Sequence, residues 1–190
     1  MSKSVVESEI NDHFDLKKEI LSLNKKILEF AKIVSESSRK GNCIFWCGNG
    51  GSAADSQHLA AELVGRFEKD RKPIKSLSLT TDTSVITALS NDYCYDIILR
   101  RQLQALGKPN DILIAISTSG NSKNIIEVLK EAKKKGIISL ALLGKDGGKA
   151  KKFADKSIII KNKKTSRVQE MHILIGHIIC KIAEKELIGG

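Results

Sequence analysis

Short apolar runs alternate with amphipathic helical stretches from residue 43 to the end of the chain. We expect strands at Cys43–Cys47, Ser76–Leu79, Ile112–Ile116, Ile138–Leu143 and Ser157–Ile160. This alternation is typical of repeated βα units, whose parallel strands are covered by helices on both faces. The sequence therefore predicts an α/β fold, a three-layer α-β-α sandwich around a five-stranded parallel sheet.

Helical patterns occupy both ends of the chain. Apolar residues recur at helical spacing from Ile20 to Val34, so residues 1–40 are expected to form a long, mostly amphipathic N-terminal helix. The last segment, Thr165 to Leu187, carries more apolar residues than one buried helix face requires. This surplus indicates either a helical layer shared between subunits or a single thick core.

The length and composition are those of one globular unit. With 190 residues, 41% hydrophobic and 28% charged, residues 1–190 suffice for a single domain. No apolar run approaches the length of a membrane span, and the first residues become acidic where a signal peptide would be apolar. We expect a cytoplasmic protein with no membrane partner. Its cysteines, Cys43, Cys47, Cys94 and Cys180, lack zinc or disulfide spacing and are expected to be reduced core residues.

The formal net charge of +10 raises the alternative of nucleic-acid binding. However, the lysines are spread over several helical faces and loop tips, and aromatic residues for base stacking make up only 4% of the chain. We therefore expect a solvated lysine-rich surface that attracts a small anionic substrate, and no nucleic-acid partner.

Two polar loops follow predicted strands. After the first strand, the segment from Cys47 to Asp55 is a glycine-rich turn that opens a helix and brings backbone N–H groups towards an anion. It lacks the lysine of a P-loop and the third glycine of a dinucleotide fingerprint. After the third strand, four hydroxyls converge at a helix N-terminus, which predicts a phosphate monoester site made by Ser117, Thr118, Ser119 and Ser122.

Two helices carry residues suited to proton transfer or metal binding. His58 and Glu62 are four residues apart and therefore lie on one helix face. This spacing fits a surface ion pair, a core histidine with a hydrogen-bond partner, or a metal site. On the final helix, periodicity makes Glu170 a near face mate of His177, whereas Gln169 lies about 80° away. His172 lies on another face and is expected to be structural.

Together these segments resemble a known family. The stretches CGNGGSAADSQHLAAEL, SNDYCYD, ISTSGNS and SRVQEMHILIGH are similar to those of the sedoheptulose-7-phosphate isomerases of bacterial heptose biosynthesis, within the wider sugar-isomerase (SIS) domain class. The resemblance runs from the leading helix to Leu187. It implies a flavodoxin-like SIS domain, and a homotetramer in which residues 1–40 take part in oligomerisation and the active sites lie at subunit interfaces.

The resemblance also implies roles for individual residues. The implied substrate contacts are Asn49, Gly50, Gly51, Ser52, Glu62, Arg66, Asn91, Asp92, Ser117, Thr118, Ser119, Ser122 and Gln169. For Arg66, a surface ion pair is an equal alternative. The implied ligands of one Zn²⁺ per subunit are His58, Glu62, Gln169 and His177.

The expected reaction is the aldose-ketose isomerisation of sedoheptulose 7-phosphate to D-glycero-D-manno-heptose 7-phosphate, for lipopolysaccharide, lipooligosaccharide or capsule. It needs one group to move a proton between neighbouring carbons and another to serve the oxygens. We assign Glu62 as the carbon base and His177 as its partner at oxygen. Because a carboxylate on Zn²⁺ is a weaker base, either Glu62 shifts when substrate binds or the metal is partly occupied or dispensable.

Two other classes of protein would share the glycine and serine loops. A non-catalytic SIS-domain regulator, which binds a phosphosugar signal or a partner such as a replication initiator, would have the same glycine and serine loops. It would have no physical reason to keep both Glu62 and His177. An isomerase or lyase for a hexose or amino-sugar phosphate would use the same phosphate site with a different base.

Overall fold

The computed structural model of the chain describes residues 2–188. This range begins with the helices α1 (Ser2–Asp15), α2 (Lys17–Ser22) and α3 (Asn24–Arg39). The remaining α-helices and strands are β1 (Ile44–Cys47), α4 (Gly51–Val64), β2 (Ser76–Ser78), α5 (Thr83–Asp92), α6 (Ile98–Leu106), β3 (Ile112–Ser117), α7 (Lys123–Lys135), β4 (Ile138–Gly144), β5 (Lys156–Ile160) and α8 (Thr165–Ile188). Each predicted strand is present, with ends displaced by one residue at most.

The five strands form one parallel sheet in the order β2-β1-β3-β4-β5. This is the flavodoxin-like order, so the prediction of the fold is confirmed. The order reverses between β1 and β3, because the chain moves outward from β1 to β2 and then returns past β1. Ligands of such sheets bind at the carboxyl ends of the strands that flank this reversal.

Apolar side chains alternate between the two faces of the sheet and make two cores. On one face, Trp46, Ile114 and Leu142 pack with buried residues of α3, α4 and α8. On the other face, Phe45 and Leu113 pack with α6 and α7. Helices therefore cover both faces, as the near-continuous apolar strands predicted.

The leading segment is helical, as predicted, but it is divided into three helices. The helix is interrupted at Leu16 and Leu23, where ψ is −8° and 0° and the N–H groups bond the carbonyls three residues back, those of His13 and Ile20. The segment α1 leaves large apolar side chains exposed, including Val5, Ile10 and Phe14. No helix in the described range is long and apolar enough to cross a membrane.

The cysteine prediction is wrong for one of the four residues. Cys43, Cys47 and Cys180 are free thiols in the core, as expected, but Cys94 is exposed in the connection between α5 and α6. Its neighbours Tyr93 and Tyr95 are also exposed, so the apolar character of this segment does not place it in the core. Burial raises the pKa of the Cys47 and Cys180 thiols to about 12.

Candidate active site

The glycine-rich turn and the serine loop leave the sheet side by side. Cys47 at the end of β1 pairs with Ala115 of β3, so the residues that follow both strands emerge at the point where the strand order reverses. Side chains join the two segments directly, since Asn49 of the turn and Asn124 of α7 exchange hydrogen bonds of 2.9 and 2.8 Å. The glycine turn is therefore bonded to the first turn of the helix that follows the serine loop.

The serine loop leaves the N-terminus of α7 open to an anion. The Ser117 hydroxyl accepts a hydrogen bond from the Gly120 N–H, and the Ser119 hydroxyl accepts one from the Asn121 N–H, both at 3.1 Å. Ser122 is the N-cap of α7, but its hydroxyl makes no capping bond to the helix. The partial positive charge of this helix end, with the adjacent hydroxyls, suits a phosphate group.

The loop after β4 packs against the serine loop and forms hydrogen bonds with it. The Ala150 N–H donates to the Gly120 carbonyl at 2.8 Å, and the Lys149 N–H donates to Asn121 Oδ1 at 3.1 Å. Gly120 has φ of 62° and lies so close to the backbone of Gly147 that a β-carbon would overlap it. The close backbone packing of these two loops thus determines the shape of the serine loop.

His58, Glu62 and His177 meet in one cluster. The Nε2 atoms of the two histidines are 2.9 Å apart, and His58 Nε2 is 3.3 Å from Glu62 Oε1. His58 is about half exposed, whereas the Glu62 side chain is one-fifth exposed. Two imidazole nitrogens at this distance must share a proton or present lone pairs to a common cation.

Close packing of α4 against α8 brings this cluster together. His58 and Glu62 share a face of α4 because they are one helical turn apart. On α8, Gly176 lies against Leu59, and a β-carbon at that position would overlap the leucine side chain. The neighbouring His177 therefore reaches α4, and the Phe67 ring lies 5.6 Å from its imidazole.

The donor atoms of the cluster fit a small divalent cation. The candidate ligand atoms of His58, Glu62 and His177 all lie within 4.8 Å of one another. Tetrahedral zinc, with bonds near 2.1 Å, separates its ligand atoms by about 3.4 Å. The corresponding distances from His58 Nε2 are 2.9 Å to His177 Nε2 and 3.3 Å to Glu62 Oε1. Two imidazoles and one carboxylate are also a common donor set for zinc.

Gln169 and Glu170, neighbouring polar residues of α8, face different partners. The Gln169 amide lies against Gly51 of the glycine turn, where a β-carbon would overlap it. Glu170 instead bonds His13 Nδ1 at 2.8 Å and also pairs with Arg167. Although periodicity favoured Glu170 as the partner of His177, the packing turns Gln169 towards the glycine turn and Glu170 towards His13 of α1.

Other predicted residues lie outside this contact network. Asn91 and Asp92 are exposed at the end of α5, and the Asn91 amide donates to Asp92 Oδ1 at 2.9 Å. Arg66 is exposed and forms no ion pair with any residue that the structure describes. Ser52 is buried in the first turn of α4. His172 is fully buried, as expected of a structural residue, and burial lowers its pKa to about 4.

The structure adds residues that the sequence reasoning missed. Asp55 lies one turn before His58 on α4, and its buried Oδ2 atom has no hydrogen-bond partner in the described part of the chain. Burial raises the pKa of Asp55, although the charges of His58 and His177 partly offset this effect. Its spacing of three residues from His58 could have identified it. Asn124 and Tyr95, which contact Asn49, left no such local signal.

Known proteins with related sequences and folds were compared with the chain. A family model described as SIS domain matches residues 12–144. The phosphoheptose isomerase of Sulfurimonas denitrificans is 51% identical over 190 residues, which cover 98% of this chain and 97% of the relative. The structure of phosphoheptose isomerase from Neisseria gonorrhoeae superposes with a TM-score of 0.92 at 36% identity, covering 97% of this chain and 100% of that one. The corresponding structure from Francisella tularensis has a TM-score of 0.94 at 32% identity, covering 97% and 99%.

Proposed function

The chain belongs to the SIS-domain family, and from this membership and its full-length similarity to phosphoheptose isomerases we propose that it is an aldose-ketose isomerase. Its substrate is sedoheptulose 7-phosphate and its product is D-glycero-D-manno-heptose 7-phosphate. The observation that carries this proposal is the cluster of His58, Glu62 and His177, in a protein whose serine loop leaves the N-terminus of α7 uncapped. A non-catalytic regulator would need the loop but not the cluster.

The proposed chemistry moves protons between two neighbouring carbons and their oxygens. A proton leaves C1 of the ketose and one is returned at C2, while the C1 hydroxyl loses a proton and the C2 carbonyl oxygen gains one. Glu62 is the base for the carbon proton, since its carboxylate is largely enclosed by the site. His177 serves the oxygens, because an imidazole can donate and accept near neutral pH.

The two polar loops supply binding and orientation. We assign the phosphate to the loop of Ser117, Thr118, Ser119 and Ser122, at the open end of α7. The remaining proposed substrate contacts are Asn49, Gly50, Gly51, Ser52, Arg66, Asn91, Asp92 and Gln169. Binding the phosphate far from C1 and C2 positions the reacting carbons, and so contributes to the rate without taking part in the proton transfers.

We further propose that each subunit binds one Zn²⁺ ion through His58, Glu62 and His177, with Gln169 as a fourth ligand, and that Glu62 shifts when substrate binds, because a carboxylate held by Zn²⁺ is a weaker base. The distances within the histidine and glutamate cluster support this assignment. Bound zinc would polarise the sugar carbonyl. The protein residues themselves hold the sugar, orient C1 and C2 and exchange the protons.

The assembly and cellular role are also proposals. We propose that residues 1–190 form one SIS domain and assemble as a homotetramer, with residues 1–40 in the subunit contacts. Exposed apolar residues of α1 and α2, such as Val6, Phe14 and Leu21, support such a contact, because water is a poor environment for them. The enzyme would act in the cytoplasm and supply heptose to lipopolysaccharide, lipooligosaccharide or capsule.

The reaction can be followed by NMR with purified protein and sedoheptulose 7-phosphate. We expect Glu62→Gln and His177→Ala each to slow the formation of the aldose by about 100-fold or more, the usual size of a general acid-base contribution. Lys134→Gln is the control, because Lys134 is exposed in the last turn of α7, at the end of the helix away from the serine loop. If both site variants keep more than a tenth of the wild-type rate, the catalytic assignment is wrong.

A further inference from the structure

The Asn49 side chain is the point where three segments of the site meet. Its Oδ1 atom accepts hydrogen bonds from the Tyr95 hydroxyl at 2.9 Å and from Asn124 Nδ2 at 2.8 Å. Its Nδ2 atom donates to Asn124 Oδ1 at 2.9 Å. Asn49 lies in the glycine turn, Asn124 in the first turn of α7, and Tyr95 in the segment that follows α5. These bonds therefore hold three separate parts of the chain in one arrangement.

A backbone group determines which way both amides point. The Ile125 N–H, which can only donate, donates to Asn124 Oδ1 at 3.0 Å. Asn124 Oδ1 is therefore the acceptor that faces Asn49 Nδ2, and Asn124 Nδ2 faces Asn49 Oδ1. Asn124 is only 2% exposed, so water has little access to replace these bonds. The Tyr95 hydroxyl must then donate, because it also faces Asn49 Oδ1.

Counting the hydrogen-bonding groups of Asn49 leaves one of them for a ligand. An amide oxygen has two lone pairs, and here both have donors. An amide nitrogen has two hydrogens, and one of them is bound by Asn124. The second hydrogen has no acceptor among the residues that the structure describes. Asn49 can thus offer a ligand one N–H and no lone pair.

We propose that Asn124 and Tyr95 are positioning residues that hold Asn49 as a pure hydrogen-bond donor to an oxygen atom of the bound sugar phosphate. This inference rests on the proposed function, which places a sugar phosphate at the glycine turn. It assigns a role to Tyr95 of the SNDYCYD segment, whose ring is half exposed although its hydroxyl is bound. Asn49 then selects for an acceptor on the substrate at that position and against a group that can only donate.

Tyr95→Phe tests the positioning role, with Tyr93→Phe as a matched control. Both tyrosines are exposed, at 52% and 61%, but the Tyr93 hydroxyl makes no hydrogen bond within residues 2–188. We expect Tyr95→Phe to raise KM about fivefold, the usual effect of one hydrogen bond, with kcat within about twofold of wild type. Tyr93→Phe should leave KM unchanged. Equal KM values for the two variants would overturn the proposal.

A double-mutant cycle shows whether Tyr95 acts through Asn49. In an Asn49→Ala background, Tyr95→Phe should cause no further rise in KM, because the group that it positions is already gone. A full fivefold rise in that background would contradict the positioning role.

Asn49→Asp tests whether Asn49 acts only as a donor, since it replaces the free N–H by an acceptor. We expect it to raise KM more than Asn49→Ala does. A wild-type KM for Asn49→Asp would refute the donor role. The thermal midpoint of each variant confirms that the protein is folded.

Calorimetric titration with sedoheptulose 7-phosphate separates this inference from the proposed function. If the wild type converts the sugar but Tyr95→Phe behaves like Tyr93→Phe, the positioning role fails and the isomerase function stands. If the wild type binds the sugar without converting it, and Tyr95→Phe weakens binding about fivefold, the proposed reaction fails and the positioning role stands. If the wild type neither binds nor converts the sugar, both are wrong.

Discussion

Glu184 of α8 is a buried carboxylate that clamps the loop following α4. Its oxygens accept hydrogen bonds from the backbone N–H groups of Phe67, Glu68 and Lys69 at 2.9, 2.8 and 2.9 Å. Arg71 Nε lies 3.3 Å from the carboxylate, and both side chains are only 4% exposed. The clamp matters for the site because Phe67 packs on His177.

We expect Glu184→Gln to lower the free energy of unfolding by about 3 to 5 kcal/mol, the usual cost of removing one partner from a buried ion pair. The amide can still accept two of the three N–H bonds, but its NH₂ group then faces another donor and the buried guanidinium. For a chain of this length, such a loss lowers Tm by roughly 6 to 20 °C. Activity should fall as well, because the loop that carries Phe67 loosens.

Urea unfolding at a fixed protein concentration measures this loss, and Glu186→Gln is the matched control. Glu186 lies two residues further along α8 and pairs with Arg39 at 3.4 Å, but both side chains are more than one-third exposed. Breaking that surface pair should cost no more than about 1 kcal/mol. If Glu184→Gln costs no more than Glu186→Gln, the argument for the clamp is wrong.

The pH dependence gives a second check on the charge of Glu184. Burial raises the pKa of this carboxyl, but the hydrogen bonds from Glu68, Phe67 and Lys69 and the charge of Arg71 outweigh it, so the pKa lies below the ordinary value of 4.5. A lowered pKa stabilises the folded state above the unfolded value and ceases to do so as the pH falls through the folded value. The stability difference between wild type and Glu184→Gln should therefore be full at pH 7 and shrink below about pH 4.5. A difference that is unchanged at pH 3 would contradict this account.

Three further predictions concern the metal, the phosphate loop and the thiols. Removing metal with a chelator should lower the isomerisation rate substantially, and full activity of thoroughly metal-free protein would exclude the zinc assignment. Gly120→Ala should raise KM for the sugar phosphate by at least about tenfold, because the added β-carbon overlaps the backbone of Gly147. Gly41→Ala is the control and should leave KM unchanged, because Gly41 is also at positive φ but has open space around it. Iodoacetamide at neutral pH should label Cys94 rapidly and leave Cys47 unlabelled in the folded protein, which mass spectrometry of digested protein can check.

The fold and the two loops could be predicted because their signals are local. Strand runs, helical periodicity and glycine or serine clusters each depend on a few neighbouring residues, and Cys47–Asp55 and Ser117–Ser122 carry such signals. The order of the strands then brings the two loops together, since parallel strands end at the same edge of the sheet. His58 and Glu62 were likewise paired by helical spacing alone.

Contacts between distant segments were decided only by the tertiary structure. His58 and His177 are 119 residues apart, and they meet because Gly176 lets α8 approach Leu59 of α4. Periodicity favoured Glu170 at this site, but the interaction of Glu170 with His13 leaves Gln169 facing the glycine turn. The hydrogen bonds of Asn49 to Tyr95 and Asn124 likewise join segments that have no common period in the sequence. Local patterns specify elements, whereas the partners of a side chain depend on how those elements pack.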